Sequence, residues 1–588
     1  MPSKNHSLEL SAEQQSILDS KVRLKVVSAC PGAGKTRLFV AALKHYKSLV
    51  NRPGAGVAAL SFTNVAQDEI AQRLGGWHVP DFVGTIDSFL LRFVLRPFGH
   101  LAGVKRDGAR LIPATLYGHF NQSIRVGEKA TNRANIHDVT FVGEEPTGKL
   151  ILKAKANFKN QVVHQAAHDG VLKEKRKLWK GLGHVSHSDS HYLCDAILRS
   201  AAGPDIVKII ARKFPFILVD ELQDTQYFLG QSLLNLFDPP LVEGLAVGDS
   251  DQAIYEFGGA HRALFAELAS KAGGQAFSLD VSRRCSAAIC RSATHLSCRA
   301  ATITEAEGAS VGRCILLVLG NDEPEIAQTL ATYIATLSGL QERVTILARK
   351  NDTLSLLRGR GEAVAFPGSS RFAAHAHAAV LRLMGGDPST ARRMIETDLG
   401  ELVFEKRGGV RDELAKAGIS LDLWRGANCL ILFEAAKVVT GETWSEWQAR
   451  LKSAFSAALN SLNQGEKAKH LGQKFRADDQ LKGLRTLMVS EDCPVEWPSE
   501  TKFFNVHEMK GLESELVCFY VPKEPKKGAS IADEWWVQDS EERKVAFVAC
   551  SRAIRLLVLA VHQATFEKLT AKRNDFVSTF EVVTLAGG

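Results

Sequence analysis

The sequence has 588 residues, of which 45% are hydrophobic and 23% charged, and its formal net charge at pH 7 is +8. This length exceeds what one hydrophobic core supports, so we expect about three to five domains. Because no run reaches the ~18 apolar residues that a membrane span needs and the polar N-terminus lacks a signal-peptide core, we expect a cytoplasmic protein without a membrane partner. The ten scattered cysteines predict reduced thiols, and the mild positive charge favours a polyanionic partner.

The first definite motif is SACPGAGKT, residues 28–36. A β-branched apolar run at 24–29 predicts a strand before it, and residues 37–44 predict a helix after it. A glycine-rich turn in this context presents backbone N–H groups to a phosphate, with a lysine on the β/γ oxygens and a threonine hydroxyl on Mg²⁺. The predicted nucleotide-binding residues are Ala29, which stands where the usual pattern has glycine, and Pro31, Gly32, Ala33, Gly34, Lys35, Thr36 and Arg37.

Six further apolar runs predict buried parallel strands, as in doubly wound α/β domains. Two stretches break this pattern, because residues 96–188 are rich in Lys, Arg, His and Asn, and residues 373–499 read as helices with little strand character. We therefore expect an α/β fold with parallel sheets and two inserted segments, each mainly helical. The six predicted strands are 57–62, 216–220, 245–248, 344–348, 516–521 and 556–561.

The first inserted segment contains two further signals. The stretch KEKRKLWKG, residues 173–181, places five cations around Trp179, which predicts either a surface that guides duplex DNA or a solvated charged helix. The stretch that follows has spacings that suit Zn²⁺ but lacks the paired ligands of stronger zinc signatures, so we expect no metal there. The possible Zn²⁺ ligands in this second stretch are His184, His187, His191 and Cys194.

The stretch FILVDELQD, residues 216–224, is an apolar strand that ends in two adjacent carboxylates. Nucleotide hydrolysis uses such a pair, so we expect Asp220 to hold the Mg²⁺ shell, together with Thr36, and Glu221 to orient and deprotonate the attacking water.

A second strand-and-turn motif, VGDSDQAIYEFGGA, occupies residues 247–260. Gln252 is the predicted γ-phosphate sensor. Tyr255 and Phe257 offer flat rings that either stack on unpaired bases, which is a sequence-tolerant contact, or belong to the core.

These motifs, in this order, resemble those of superfamily 1 helicases of the UvrD/Rep/PcrA type, from Leu10 to about Val561 outside the two insertions. LSAEQQSIL, residues 10–18, resembles the family's Q motif, which implies that Gln14 reads the adenine edge. SFTNVAQDEI (61–70) and GTIDSFLLRF (84–93) resemble its first single-strand contact motifs, and Phe257 stands where the family has a tryptophan. The DNA contacts implied by these motifs are Phe62, Thr63, Asn64, Thr85, Ser88 and Phe257.

Three later motifs extend the resemblance. LDVSRRCSAAI, residues 279–289, implies that Arg284 contacts a phosphate and places Arg283 where the family has an adenine-stacking aromatic ring. FFNVHEMKGLESELV, residues 503–517, implies that His507 lies near DNA and that Glu513 holds the ribose. EERKVAFVACSRA, residues 541–553, implies that Arg552 is the second arginine at the γ-phosphate.

The resemblance implies two RecA-like domains with ATP and Mg²⁺ between them. The first would supply Lys35, Thr36, Asp220, Glu221 and Gln252, and the second Arg284 and Arg552. The expected domains are an N-terminal one (1–95 and 189–278) with a basic, DNA-facing accessory insertion (96–188), and a C-terminal one (279–372 and 500–588) with a shortened helical insertion (373–499).

The activity implied by the resemblance is that of an ATP-dependent DNA helicase that moves 3′ to 5′ on single-stranded DNA and unwinds duplex at single-strand/duplex junctions. We expect it to act in DNA repair, recombination or anti-phage defence. The shortened second insertion leaves an alternative open: an ATP-gated DNA-binding subunit that regulates a partner nuclease without processive unwinding.

Overall fold

The computed structural model describes most of the chain and contains both of the expected parallel sheets. The described residues are 9–61, 80–106, 108–112, 123–144, 149–156, 159–254, 261, 263–320, 326–337, 343–358, 366, 368–384, 388–405, 410–437, 439, 442–475, 481, 495–523, 530–538 and 540–585.

The first sheet has six strands, and every neighbouring pair is parallel. The carboxyl ends of its strands therefore meet at one edge, where open α/β sheets bind their ligands. Helices flank the sheet, among them Ala12–Asp19, Lys35–Leu49, Gly203–Lys213 and Tyr227–Phe237. The strand order is Gly274–Leu279, Leu24–Ala29, Glu243–Gly248, Phe216–Val219, Val57–Ser61 and Phe82–Thr85.

The second sheet repeats this architecture with six strands that are again all parallel. Helices Ala287–Leu296, Ile326–Leu337, Asn351–Leu357, Glu541–Cys550 and Gln563–Val577 belong to this half of the molecule. Its strand order is Lys502–Asn505, Val344–Ala348, Ser514–Tyr520, Ala553–His562, Arg313–Leu319 and Glu581–Thr584.

One hydrophobic core is shared between the two sheets. It joins side chains beside the phosphate loop, such as Leu38 and Phe39, to Phe547 and Leu559 of the second half. All four are fully buried. This continuous packing positions the carboxyl edge of the first sheet against loops of the second.

The first inserted segment combines short strands with one long helix, Gln165–Leu182. The expectation that it is mainly helical is wrong for its described residues. In strand Lys149–Ala156, KLILKAKA, Leu152 and Ala154 are buried while Ile151 and Lys153 are partly exposed, which is the period of a strand with one buried face. The other strands are Arg110–Leu111, Ser123–Arg125, Arg133–Asn135, Val139–Glu144, Lys159–Val162 and His184–Val185.

The second inserted segment is helical where it is described, as its sequence predicts. Its core contains Trp424, Trp444, Trp447 and Phe455, all fully or almost fully buried. The helices are Arg371–Met384, Pro388–Phe404, Val410–Lys416, Leu421–Ala436, Trp444–Ser461 and Leu471–Lys474.

All seven apolar runs taken as strands are strands of the two sheets; two match at both ends, and the others differ by at most three residues at an end. Among the described residues, no helix is both long and apolar enough to cross a membrane. The nine cysteines there are free thiols, as expected, and seven of them are buried.

Candidate nucleotide site between the two sheets

The glycine-rich loop runs from the end of strand Leu24–Ala29 to helix Lys35–Leu49. Gly32 and Gly34 have φ angles of 77° and 83°, a left-handed backbone that favours glycine. Gly34 caps a helix of 15 residues without a side-chain cap, so the first-turn N–H groups and the positive end of the helix dipole face the loop. The loop therefore has the geometry of an anion cradle.

The other predicted loop residues lie in the turn or in the first turn of the helix. Thr36 is the second residue of the helix and is partly buried, whereas Arg37 is exposed and donates to the Glu9 carbonyl at 3.3 Å. Ala29, Pro31 and Ala33 are buried, which suits the small or rigid residues at these positions.

Gln14 is fully buried against the phosphate loop. Its side-chain amide donates to the Ala33 carbonyl at 2.8 Å and to the Gly34 carbonyl at 3.3 Å, while its Oε1 accepts from the Ser11 backbone at 3.1 Å. Gln14 thus fixes the loop directly. Its reading of an adenine edge stays a prediction.

The acidic pair follows strand Phe216–Val219 as its sequence predicts. The Glu221 backbone N–H donates to Asp220 Oδ1 at 2.9 Å, and Glu221 has a φ of 52°, a left-handed backbone that is uncommon outside glycine. Burial alone would raise the pKa of Glu221, but the positive charges of Lys35 and Lys510 outweigh it and hold that pKa below its ordinary value. Glu221 is therefore ionised at neutral pH, as a general base must be.

Gln252 connects the two halves of the molecule. Its Nε2 donates to Asp249 Oδ2 at 2.6 Å, and its Oε1 accepts from Arg552 Nη2 at 2.8 Å. Arg552 is 1% exposed, and burial followed by the nearby charge of Arg284 lowers its pKa. A guanidinium still keeps its charge at neutral pH.

The two consecutive arginines lie on the phosphate loop. The Arg283 backbone N–H donates to the Gly32 carbonyl at 3.0 Å, and its Nη1 donates to the Ala33 carbonyl at 3.3 Å. A Cβ built on Gly32 would stand 2.5 Å from the Arg284 Cβ, so only glycine fits there. Arg284 Nε donates to Glu513 Oε2 at 2.6 Å, so the residues predicted to hold a phosphate and the ribose pair with each other.

Lys510 is a site residue that the sequence analysis did not assign. Its Nζ donates to both oxygens of Asp224, at 2.6 and 2.5 Å, and to the Gln252 carbonyl at 2.8 Å. Burial raises the pKa of Asp224 to about 6, with Lys510 acting in the opposite direction. The only available signal was its place in the motif HEMKGLE, between His507 and Glu513.

Arg299 is a second cation that the sequence did not reveal. It is almost fully buried and bonds Asp249 Oδ1 at 2.6 Å, with Asp251 and Asp280 each at 3.4 Å. Burial opposes ionisation of Asp249, but Arg299 and Lys35 lower its pKa. This network fixes the loop that holds Gln252.

The described residues predicted to contact DNA lie at the ends of strands. Thr85 caps helix Ile86–Leu90, because its Oγ1 accepts from the Ser88 N–H at 3.1 Å, and Ser88 Oγ donates to the Thr85 carbonyl at 2.8 Å. His507 accepts at Nε2 from Arg349 Nη1 at 2.6 Å, and burial followed by the Arg349 charge lowers its pKa. The predicted contacts Phe62, Thr63, Asn64 and Phe257, together with Tyr255, lie outside the described residues.

The cationic stretch 173–181 lies on helix Gln165–Leu182, and its role as either a DNA-guiding surface or a solvated charged helix stays a prediction. Trp179 is 4% exposed and Lys175 is 1% exposed, and both donate to Asp189, at 3.2 and 2.6 Å. The reason is helical periodicity, which turns positions 175 and 179 of the helix inwards together. Four cations of the stretch are exposed, namely Lys173, Arg176, Lys177 and Lys180.

The phosphate loop of the first sheet can therefore bind a nucleoside triphosphate. Arg284 and Arg552, which come later in the chain, lie close enough to this loop and to Gln252 to contact the bound phosphates. Residues 10–272 match the family model described as the UvrD/REP helicase N-terminal domain. The chain is 26% identical over 247 residues to the ATP-dependent DNA helicase PcrA of Bacillus subtilis, covering 40% of this chain and 32% of that protein. It is 25% identical over 268 residues to PcrA of Staphylococcus epidermidis, covering 43% and 34%.

The chain thus spans about a third of the length of the curated relatives it matches. The matched part contains the phosphate loop, the acidic pair and Gln252, and the second parallel sheet follows it in the chain. The family match over residues 10–272 and these relatives support the resemblance of the chain to superfamily 1 helicases of the UvrD/Rep/PcrA type.

Proposed function

We propose that this protein is an ATP-dependent motor that moves 3′ to 5′ along single-stranded DNA and unwinds duplex at single-strand/duplex junctions. The contact of 2.8 Å between Arg552 and Gln252 carries this proposal. It joins a residue beside the second sheet to the predicted γ-phosphate sensor of the first. Binding or loss of the γ-phosphate would therefore alter contacts of both domains at once.

The proposed chemistry divides between the two sides of the cleft. Lys35 binds the β- and γ-phosphates. Thr36 and Asp220 would hold Mg²⁺, which would neutralise phosphate charge. Glu221 takes the proton of the attacking water, which its lowered pKa allows. Arg284 and Arg552 stabilise the charge that develops in the transition state.

Closure of the cleft requires Arg284 to exchange partners. Arg284 and Glu513 are paired at 2.6 Å, and the Glu513 side chain is 52% exposed. An ion pair this exposed contributes ~0–1 kcal/mol, so a triphosphate is a stronger partner for the guanidinium. Release of Glu513 would free its carboxylate for the ribose.

Stepping along DNA follows if the two domains grip the strand separately. The proposed grip of the N-terminal domain (1–95 and 189–278) includes Thr85 and Ser88, and that of the C-terminal domain (279–372 and 500–588) includes His507. Opening and closing of the cleft changes the distance between these grips. Hydrolysis is thereby converted into movement.

The test combines ATPase and strand-separation assays on the purified chain. We expect ATPase activity that a short single-stranded oligonucleotide stimulates and that Lys35→Ala or Glu221→Gln reduces at least a hundredfold. Strand separation should occur on a forked duplex with a 3′ tail and not on one with a 5′ tail. ATP turnover without separation on either fork would contradict the motor and favour the subunit that regulates a partner nuclease.

A further inference from the structure

A cluster outside the nucleotide site joins three potential metal ligands. Within the part of the chain that the structure describes, Asp87, His187 and His191 form the group of His, Cys, Asp and Glu side chains whose ligand atoms all lie within 4.8 Å of one another. His187 and His191 are one turn apart on helix His187–Leu198, so both face the same side. Asp87 approaches them from the short helix Ile86–Leu90.

The contacts in this cluster run through a single carboxylate. Asp87 Oδ1 lies 2.8 Å from His191 Nε2, and Asp87 Oδ2 lies 3.3 Å from His187 Nδ1. On its other side, His191 Nδ1 lies 3.1 Å from Gln226 Oε1. Both ring nitrogens of His191 therefore face oxygen acceptors.

A neutral imidazole donates from only one nitrogen. If the Nδ1 proton of His191 goes to Gln226, the Nε2 lone pair faces a carboxylate oxygen, and that contact needs either a second proton or a metal cation. Metal-bound histidines usually donate their other ring N–H to an oxygen in this way, which fixes the tautomer that coordinates. Gln226 thus supplies the outer contact that such a ligand requires.

We propose that Asp87, His187 and His191 bind a first-row divalent metal ion of the zinc type. Two imidazoles and one carboxylate are a donor set that Zn²⁺ accepts, whereas Mg²⁺ prefers oxygen ligands alone. Tetrahedral coordination at ~2.0–2.2 Å separates ligand atoms by roughly 3.3–3.6 Å. Asp87 Oδ2 already lies 3.3 Å from His187 Nδ1, whereas His191 Nε2 lies 2.8 Å from the other oxygen, Oδ1, so the carboxylate and the rings would shift slightly to admit the ion. The His187 side chain is 51% exposed, so a fourth ligand can come from solvent.

The ligand set differs from the one considered on sequence spacing. His184 lies on the short strand His184–Val185, and Cys194 is buried, with its pKa raised by that burial. Neither belongs to the group of three. Asp87, which is 100 positions before His187, replaces them, and sequence spacing could not indicate it.

A bound ion would connect three segments of the chain: the turn that contains Asp87, the helix that contains His187 and His191, and, through the His191 ring, the segment that contains Gln226. Asp87 lies within the capped turn between Thr85 and Ser88, and Gln226 lies just after the DELQD motif. A bound ion would therefore hold the proposed DNA grip against the helix that begins at His187. This consequence for DNA rests on the proposed function, whereas metal binding itself does not.

The experiment titrates the full chain, freed of metal by chelator and desalted without Mg²⁺ or nucleotide, with Co²⁺ and then Zn²⁺. We expect one equivalent of Co²⁺ with visible absorption bands typical of four- or five-coordinate nitrogen ligation, displaced by Zn²⁺. Asp87→Asn, His187→Ala and His191→Ala should each weaken the affinity at least tenfold. His45→Ala is the matched control, because His45 is exposed on the same domain and lies outside the cluster.

Folding and DNA binding are read separately. Zn²⁺ should raise the thermal unfolding midpoint of the wild type and of His45→Ala, and should leave the three cluster variants unchanged while they remain folded by circular dichroism. No stoichiometric uptake by the wild type, or equal uptake by folded cluster variants, would overturn the proposal and leave a protonated His191 as the counter-charge. Fluorescence anisotropy with a single-stranded oligonucleotide then tests the DNA consequence, and a chain that binds metal without binding DNA would contradict only the proposed function.

Discussion

Replacement of Arg552 with methionine removes the guanidinium while keeping a side chain of similar length. In the structure the Arg552 guanidinium donates to Gln252 Oε1 at 2.8 Å, to the Val548 carbonyl at 3.2 Å and to Ser551 Oγ at 3.2 Å. An arginine finger contributes ~10³–10⁵ to the turnover rate. This corresponds to about 4–7 kcal/mol of transition-state stabilisation, since each tenfold is about 1.4 kcal/mol.

The same substitution has a structural cost that must be separated from the catalytic one. The oxygens that lose Arg552 as a donor are buried, and an unpaired buried acceptor costs ~1–3 kcal/mol. Arg552→Met should therefore lower the thermal unfolding midpoint by several degrees and still fold. Arg552→Lys keeps a charge but cannot bridge the same acceptors, so we expect it to recover less than a tenth of the lost activity.

The assay is DNA-stimulated ATP hydrolysis at saturating ATP, with binding of a fluorescent ATP analogue measured alongside. We expect Arg552→Met to lose at least a thousandfold in turnover and to bind the analogue within about tenfold of the wild type, because the finger acts mainly in the transition state. Arg555→Gln is the control, since Arg555 is exposed three residues further along the chain. A folded Arg552→Met variant that keeps more than a tenth of wild-type turnover would refute the reasoning.

Two further predictions concern buried charges. Lys175→Met leaves the Asp189 carboxylate buried without its cation, so the free energy of unfolding measured by chemical denaturation should fall by about 3–5 kcal/mol. Lys177→Met, on the exposed face of the same helix, is the control and should change that free energy by less than about 0.5 kcal/mol. Equal effects of the two substitutions would contradict the burial argument. The pKa of Asp224 is raised to about 6, so the folded state favours the protonated carboxyl. The resulting gain in the free energy of unfolding is complete below the ordinary aspartate pKa and is lost as the pH rises through about 6. On going from pH 7 to pH 5 the wild type should therefore gain about 1–2 kcal/mol relative to Asp224→Asn, and an unchanged difference between the two proteins would refute the assignment.

The strands of both sheets were largely predictable because they are buried on both faces. Runs such as FILV at 216–219 and VTILA at 344–348 contain no charge and end at polar residues, which is the pattern of parallel strands covered by helices. Five strands were not predicted, namely the inner strand Arg313–Leu319 and the edge strands Gly274–Leu279, Phe82–Thr85, Lys502–Asn505 and Glu581–Thr584. An edge strand has one neighbour and partial exposure, so its composition carries little signal.

The first insertion shows how composition can mislead. Its many cations suggested charged helices, yet strand Lys149–Ala156 pairs antiparallel with strand Val139–Glu144. In the helix that follows, position matters more than charge, because Lys175 turns inwards to Asp189 while its neighbour Arg176 stays exposed. A cation count over a window cannot distinguish these two outcomes.

Motifs indicated the residues of the nucleotide site that belong to one local turn, and missed those that meet across the fold. Lys510 and Asp224 are 286 positions apart, and Arg299 and Asp249 are 50 positions apart, so no spacing in the sequence links either pair. These pairs nevertheless determine which carboxylates can serve a metal ion. Asp224 and Asp249 are each bound to a cation, and a carboxylate already neutralised in this way is a poor Mg²⁺ ligand.

The assignment of Asp220 to Mg²⁺ therefore depends on charges that its own motif does not contain. If Lys510 were absent, Asp224 would be a second candidate, since it follows Asp220 by only four residues and lies in the same buried turn. The lysine also contributes to the lowered pKa of Glu221, so one cation from the second half of the molecule both excludes a competing ligand and helps keep the proposed base ionised. The two sheets are thus coupled through the ion pair of Lys510 with Asp224 as well as through the arginines that the motifs indicate.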